Sequence, residues 1–253
     1  MIRPLKLRLA QWLTSGVAGR LVRTACRNRM PWDGGRIFVD PQLVADQNCA
    51  SIFFGLYESA ERRMTAKFVA AGDRVVELGS SIGGMSCVLH RRVGRQGAVA
   101  LVEARRELLD LALANVRANH PAASPAAVHG AVDYSRPGEP TITFSTAGSN
   151  IDGRVSGGGV GIAVPRYSLQ EILGRLPGTW NVLVADIEGA EIGLALHDMG
   201  SLRRFHRLLL ELHEESFGGR KYSIAEVREL FLAGGHFRLA GQDGHVFCFE
   251  RLI

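Results

Sequence analysis

Cysteine is scarce and scattered in this chain. The 253 residues hold four, Cys26, Cys49, Cys87 and Cys248, with no spacing suited to a C-x-x-C pair, a zinc pattern or a compact disulfide framework. The eight histidines form no H-E-x-x-H. Lysine occurs only at Lys6, Lys67 and Lys221, never within G-x-x-x-x-G-K-[ST], which excludes a Walker-type phosphate loop. Long apolar runs are missing too. The charge-free stretches Leu9 to Gly19 and Val155 to Pro165 reach about half the ~18–20 residues that a membrane-spanning helix needs. A reducing cytoplasm is the expected location, and no repeat is visible. Acids are absent from Met1 to Met30, which carries seven bases, so the net charge of +5 belongs largely to that segment.

What remains is an ordinary globular composition, 46% hydrophobic and 22% charged, long enough for one α/β domain with a substantial core. Residues 1–36 read as a basic, helical N-terminal arm. Leu5, Leu9, Leu13, Val17 and Leu21, set among Arg3, Lys6, Arg8, Arg20 and Arg23, suit either an amphipathic helix on an anionic membrane surface or one packed on its own domain. Residues 37–253 read as the domain proper.

From Arg74 onward, short β-branched runs alternate with helical patterns, the rhythm of a parallel sheet with crossover helices. Strands are expected at Arg74 to Leu78, Ala98 to Glu103, Ala126 to Ala131, Asn181 to Asp186 and Arg207 to Glu211. Two more, Phe237 to Ala240 and Val246 to Glu250, should form a closing hairpin. The expected fold is α/β and Rossmann-like: a doubly wound sheet of about seven strands, mostly parallel, with a C-terminal antiparallel hairpin and helices on both faces. Residues 136–166 interrupt the rhythm and suggest an inserted β-hairpin or lid with a mobile, glycine-rich tip, followed by a short helix near Ser168 to Leu176.

The sharpest local feature is Glu77, Leu78, Gly79, Ser80, Ser81, Ile82, Gly83, a strand running through a glycine turn into a helix. Such a turn brings bare backbone and helix N–H groups to a ligand. Three chemistries fit it unequally. Gly79 to Gly83 matches G-x-S-x-G, with Asp186 or Asp198 and then His213, His236 or His245 in hydrolase order, but the strands that should precede a nucleophile elbow are missing. Gly79, Gly84 and Glu103 have the outer spacing of a nicotinamide site, but Ser81 crowds the pyrophosphate approach and Glu77 has no use beside an anion. S-adenosylmethionine, a cation without phosphate, accommodates Glu77, and Glu103 at the next strand end can accept from both ribose hydroxyls.

Val182 to Glu191, with Asp186, Glu188, Gly189, Ala190 and Glu191, resembles the D-x-E-G-A-E segment of the FkbM family of S-adenosylmethionine-dependent O-methyltransferases. Gly55 to Glu58, Ser168 and Leu169, and Leu210 to His213 keep the family order over roughly Ile37 to the C-terminus. Glu77, Ser80 and Ala185 depart from its common aspartate, alanine and lysine. The resemblance implies a class I methyltransferase that binds its cofactor through Tyr57, Glu58, Glu77, Gly79, Ser80, Ser81, Ile82 and Gly83. On the far side of the cofactor it implies Glu103, Ala104, Ala131, Val132 and Asp186. It also implies a hydroxylated acceptor, a small molecule or glycan of sugar or polyketide type.

Asp186, at a strand end on the mouth of an open sheet, is the first candidate for orienting or deprotonating that hydroxyl, and His213 the second. Glu188 and His213 are candidate substrate contacts, while Glu191 serves either the site or its own helix turn. Asp186, Glu188 and His213 could together hold a divalent ion, but their spacing fits no recognised metal motif, so no metal is assigned. Nucleic acid is not an expected partner, because no N/D-P-P-Y/F segment follows the fourth strand. Peripheral membrane contact through residues 1–30 stays open. The alternatives are an NAD-dependent oxidoreductase and a non-catalytic methyltransferase-like binding module.

Overall fold

The computed structural model describes residues 15–136, 138–145, 154–155 and 161–252. The first half of the arm and most of the glycine-rich tip lie outside the described residues, and with them the mobile-tip expectation. Ser15 accepts a hydrogen bond from the Ala18 amide and starts α1 (Gly16–Ala25). This helix packs on α2 (Asp46–Phe53) so closely that a Cβ on Gly19 would lie 1.5 Å from the Asp46 carbonyl oxygen. Arg23 Nε donates to Asp46 Oδ1 at 2.7 Å. The described part of the arm is therefore docked on the domain, with Val17 and Leu21 turned outward.

The expected helix does not continue to residue 36. β1 (Arg29–Trp32) and β2 (Gly35–Phe38) form an antiparallel hairpin closed by Asp33 and Gly34, at φ 41° and 77°. Two positive φ values on an Asp-Gly pair are the signature of a tight hairpin turn, and alternating Met30, Trp32 and Ile37 supply its buried face. A domain boundary at 36/37 therefore cuts through β2.

After α3 (Ser59–Phe68) the chain enters the central sheet through β3 (Arg74–Leu78), α4 (Gly84–Val93), β4 (Ala98–Glu103), α5 (Arg106–Asn119) and β5 (Ala126–His129). The third strand is shorter than expected. Past Gly130, β6 (Ala131–Val132) leaves the main sheet and joins a small one with β7 (Thr141–Ser145), β8 (Arg154–Val155) and β9 (Ile162–Tyr167), in the order β6-β9-β7-β8. The inserted hairpin is thus β7 against β9, antiparallel, with Thr141 opposite Pro165.

α6 (Leu169–Arg175) begins at a capping box, in which Ser168 and Glu171 satisfy each other's backbone amides. β10 (Val182–Ala185), α7 (Glu191–His197), α8 (Met199–Leu202) and β11 (Arg207–Glu211) follow. Next come a small hairpin, β12 (Glu215–Phe217) and β13 (Arg220–Tyr222), and α9 (Ile224–Leu232), capped in the same way by Ser223 and Glu226. β14 (Phe237–Asp243) and β15 (Val246–Arg251) close the chain.

The seven-stranded sheet runs β14-β15-β11-β10-β3-β4-β5. β11, β10, β3, β4 and β5 are parallel, and the final hairpin is antiparallel. Both faces are covered, so the central strands read as continuous hydrophobic runs. Val75, Val99 and Leu101 pack with α3, α4 and α5 on one face, and Val76, Leu78 and Leu183 with α6 to α9 on the other. The order of connections reverses between β3 and β10, which opens a crevice at their carboxyl ends. Among the described residues no helix is long and apolar enough to cross a membrane.

Candidate active site

At the end of β3 the chain turns through Gly79, Ser81 and Gly83, all in left-handed conformations, at φ 85°, 46° and 81°. A Cβ on Gly79 would come within 2.0 Å of the Asp186 carbonyl oxygen, so only glycine lets the loops after β3 and β10 touch. The left-handed turn at Ser81 aims its amide at Glu103, which receives it at Oε2 (2.9 Å) while the Arg105 amide donates to Oε1 (2.9 Å). One carboxylate thus ties together the loops after β3 and β4. Burial pushes the Glu103 carboxyl up, and these backbone donors oppose the shift.

Beside this loop lies a cavity of about 270 Å³. It is lined by Gly79, Ser81, Glu103 and Ala104, by Ala131 and Val132, and by Tyr57 and Glu58. Asp186, Glu188 and His213 line it as well. Eleven sequence-derived candidates therefore share one space.

Four others do not reach it. Glu77 alternates with Leu78 and so faces the α4 side of the sheet, where it accepts a hydrogen bond from Ser86 Oγ at 2.5 Å. Burial pushes its carboxyl up to about 8, and it lines an adjoining space of about 20 Å³. Ser80 is buried, with its amide on the Val102 carbonyl. Ile82 is fully buried and its carbonyl accepts from Asn115. Gly83 faces α5, where a Cβ would stand 2.7 Å from the Ala112 Cα. These residues shape the loop from behind.

The β10 side is built around a short turn. Glu188 and Gly189 take φ 53° and 104°, and Glu191, with no exposed surface, accepts from the Ile187 and Gly189 amides at 2.9 Å each. The structural reading of Glu191 is the one this geometry supports. His213 Nδ1 lies 3.6 Å from Glu191, and its Nε2 lies 3.7 Å from Asp186 and 3.8 Å from Glu188. Burial alone would lower the imidazole pKa, but the three acids outweigh it and hold His213 in its protonated form. The Asp186 carboxyl is raised by burial and by its acidic neighbours against the pull of His213. Asp186 is thus the better proton acceptor of the two.

Sequence reasoning overlooked Glu61 and Glu211, which also line the cavity. Glu61 sits three residues after Glu58, one turn along α3. Glu211 ends β11 two residues before His213, inside a segment already singled out. Phe144 of the insert contributes an apolar surface. The structure also gathers donor atoms where no metal was assigned. Asp186, Glu188 and His213 form one set and Glu61, Asp186 and Glu211 another, each with atoms within 4.8 Å of one another.

No protein-family model matches the chain, and neither does any curated protein. Solved structures do. A methyltransferase from Pyrococcus furiosus superposes with a TM-score of 0.51 at 13% identity, covering 93% of this chain and 98% of that one. The fold is that of the class I methyltransferases. Aeropyrum pernix fibrillarin, solved with S-adenosyl-L-methionine bound, overlays with a TM-score of 0.43 at 15% identity, over 73% of this chain and 68% of its own. A SAM-dependent methyltransferase from Aquifex aeolicus gives 0.39 at 14% identity, over 75% and 87%.

Because Gly83 acts by packing, Gly83→Ala should lower the unfolding free energy by about 1–3 kcal/mol through overlap with Ala112 and a disfavoured φ. Urea denaturation measures this. An unchanged midpoint would contradict the packing role.

Proposed function

We propose that the protein is an S-adenosylmethionine-dependent O-methyltransferase of FkbM type, acting on a hydroxyl of a small molecule or glycan. The observation that carries this reading is the Glu103 carboxylate, pinned by two backbone amides beside Gly79. Each oxygen retains acceptor capacity beyond its amide, and Glu103 lines the cavity, so the carboxylate can serve a ribose diol. When bound, S-adenosylmethionine supplies a methyl group on a positively charged sulfur. Asp186, across the cavity, then stands to orient the acceptor hydroxyl and take its proton, while the charged His213 steadies the carboxylate that does so. Glu188 borders the same space and is a candidate substrate contact.

The charge of the cavity weighs against the alternatives. Glu58, Glu61, Glu103, Asp186, Glu188 and Glu211 face it with Arg105 and His213. Burial holds several of these carboxyls above their usual range, so a bound sulfonium would favour their ionised forms, whereas an anionic pyrophosphate or nucleic-acid backbone would not. The motif resemblance supplies the O-methyl chemistry and the hydroxylated acceptor. The membrane-surface contact of residues 1–30 rests on Val17 and Leu21, 68% and 61% exposed on the outer face of α1, with exposed Arg20 beside them. Sedimentation with anionic vesicles should be lost in a Val17→Glu, Leu21→Glu double variant, and equal sedimentation of both proteins would remove this contact.

Calorimetry with S-adenosylhomocysteine should show binding that Glu103→Ala weakens by ~1.5–3 kcal/mol. Binding of NAD with no response to S-adenosylhomocysteine would overturn the assignment. Asp186→Asn should leave that affinity nearly unchanged and lower turnover of a hydroxylated acceptor by ~10²–10⁴. Near-normal turnover in Asp186→Asn would remove it from the chemical step.

A further inference from the structure

Behind the main cavity, the space of about 20 Å³ is bordered by Glu58, Glu61, Thr65, Asp186 and Glu211. Three of its carboxylates, those of Glu61, Asp186 and Glu211, bring oxygen atoms within 4.8 Å of one another. An acidic cluster alone says little. Here, however, Thr65 has no exposed surface and its Oγ1 has no hydrogen-bond partner among the described residues. Asp186 Oδ1 makes no hydrogen bond among them either, His213 Nε2 standing 3.7 Å away. An unsatisfied buried hydroxyl is destabilising, and here Thr65 borders a space lined by acids. Both features call for the same missing partner.

The size of the space identifies that partner's class. A volume of about 20 Å³ admits one water-sized particle, too little for an organic ammonium. A water molecule would satisfy Thr65 but leave three carboxylates facing each other, and a monovalent ion would neutralise only one. The donors are all oxygen, which favours hard cations over zinc. The neighbouring set of Asp186, Glu188 and His213 is less apt, because His213 is already held between Glu191 and the two other acids.

We propose that Glu61, Asp186 and Glu211, with the Thr65 hydroxyl, form a binding site for one hard divalent cation of the magnesium, manganese or calcium type. Glu61, Asp186 and Glu211 line the main cavity as well, so the cation sits at its floor. The binding claim stands on geometry alone. Its catalytic use rests on the methyltransferase reading: the ion would hold the acceptor oxygen and ease loss of its proton, leaving the second oxygen of Asp186 to receive that proton.

The test is titration of Mn²⁺ into the full-length protein without cofactor, followed by loss of the free-ion electron paramagnetic resonance signal. One saturable site per chain is expected. Loss of outer-shell partners alone weakens metal sites by about 10–100-fold, so Glu61→Gln and Glu211→Gln should each cost at least about tenfold in affinity. Glu188→Gln should change it by less than about threefold. The absence of saturable uptake overturns the proposal, as does uptake that Glu188→Gln abolishes and Glu61→Gln spares. Should the acid variants not fold, Thr65→Val keeps the shape and removes the hydroxyl. Weaker Mn²⁺ uptake by that variant supports the site and unchanged uptake overturns it. Calorimetry with S-adenosylhomocysteine on the same protein separates the two claims. Cofactor binding without Mn²⁺ uptake removes the cation and leaves the methyltransferase reading, and the converse removes the reading and leaves the cation.

Discussion

The site depends on how closely two backbones approach. β3 and β10 are neighbours in the sheet, and the loops leaving them meet where Gly79 lies against the Asp186 carbonyl. Any side chain at residue 79 would push the loops apart by more than the tolerance of a packed interior. From this contact follow the position of Asp186 at the mouth, the left-handed turn at Ser81 and the reach of the Ser81 amide to Glu103. Asn115 reinforces the arrangement from behind, since its side chain bonds both Phe38 and the Ile82 carbonyl. The N-terminal hairpin is thereby anchored to the same loop.

The acids of this region divide by how they are satisfied. Glu191 and Glu103 each accept two backbone amides, and Glu77 accepts a serine hydroxyl. Their burial is compensated locally, and each holds a turn or helix in place. Asp186 instead meets His213 at distances beyond a good hydrogen bond, and Glu211 meets another acid. Fold stability gains little from such an arrangement, and the natural place for uncompensated polar groups is a binding site.

Much of the fold was legible because buried parallel strands leave compact apolar runs, as in Arg74–Leu78 and Arg207–Glu211. The hairpin at Asp33 and Gly34 escaped notice because the basic residues around it suggested one continuous arm, although the Asp-Gly pair carried the signal. α9 was overlooked despite Ser223 and Glu226. Among the site residues, side-chain direction was the weak point. Period-two alternation along β3 turns Glu77 away from Leu78, and φ values above zero at Gly79 and Ser81 rotate Ser80 and Ile82 inward. Glu61 and Glu211 lie 150 residues apart and become neighbours only when α3 packs beside β11, so no local pattern could pair them.

The junction of β3 with β10 also has a consequence in time. Arg74 and Asn181, bonded at the base of these two strands, are 107 residues apart in the chain. During synthesis the glycine loop therefore emerges long before its opposite wall. Until β10 arrives, β3 has one unpaired edge in the middle of the future sheet, the kind of hydrophobic edge that invites pairing with another chain. The half-made protein is most vulnerable at the strand that later carries its ligand loop, and the crevice comes into being only when that edge is sealed.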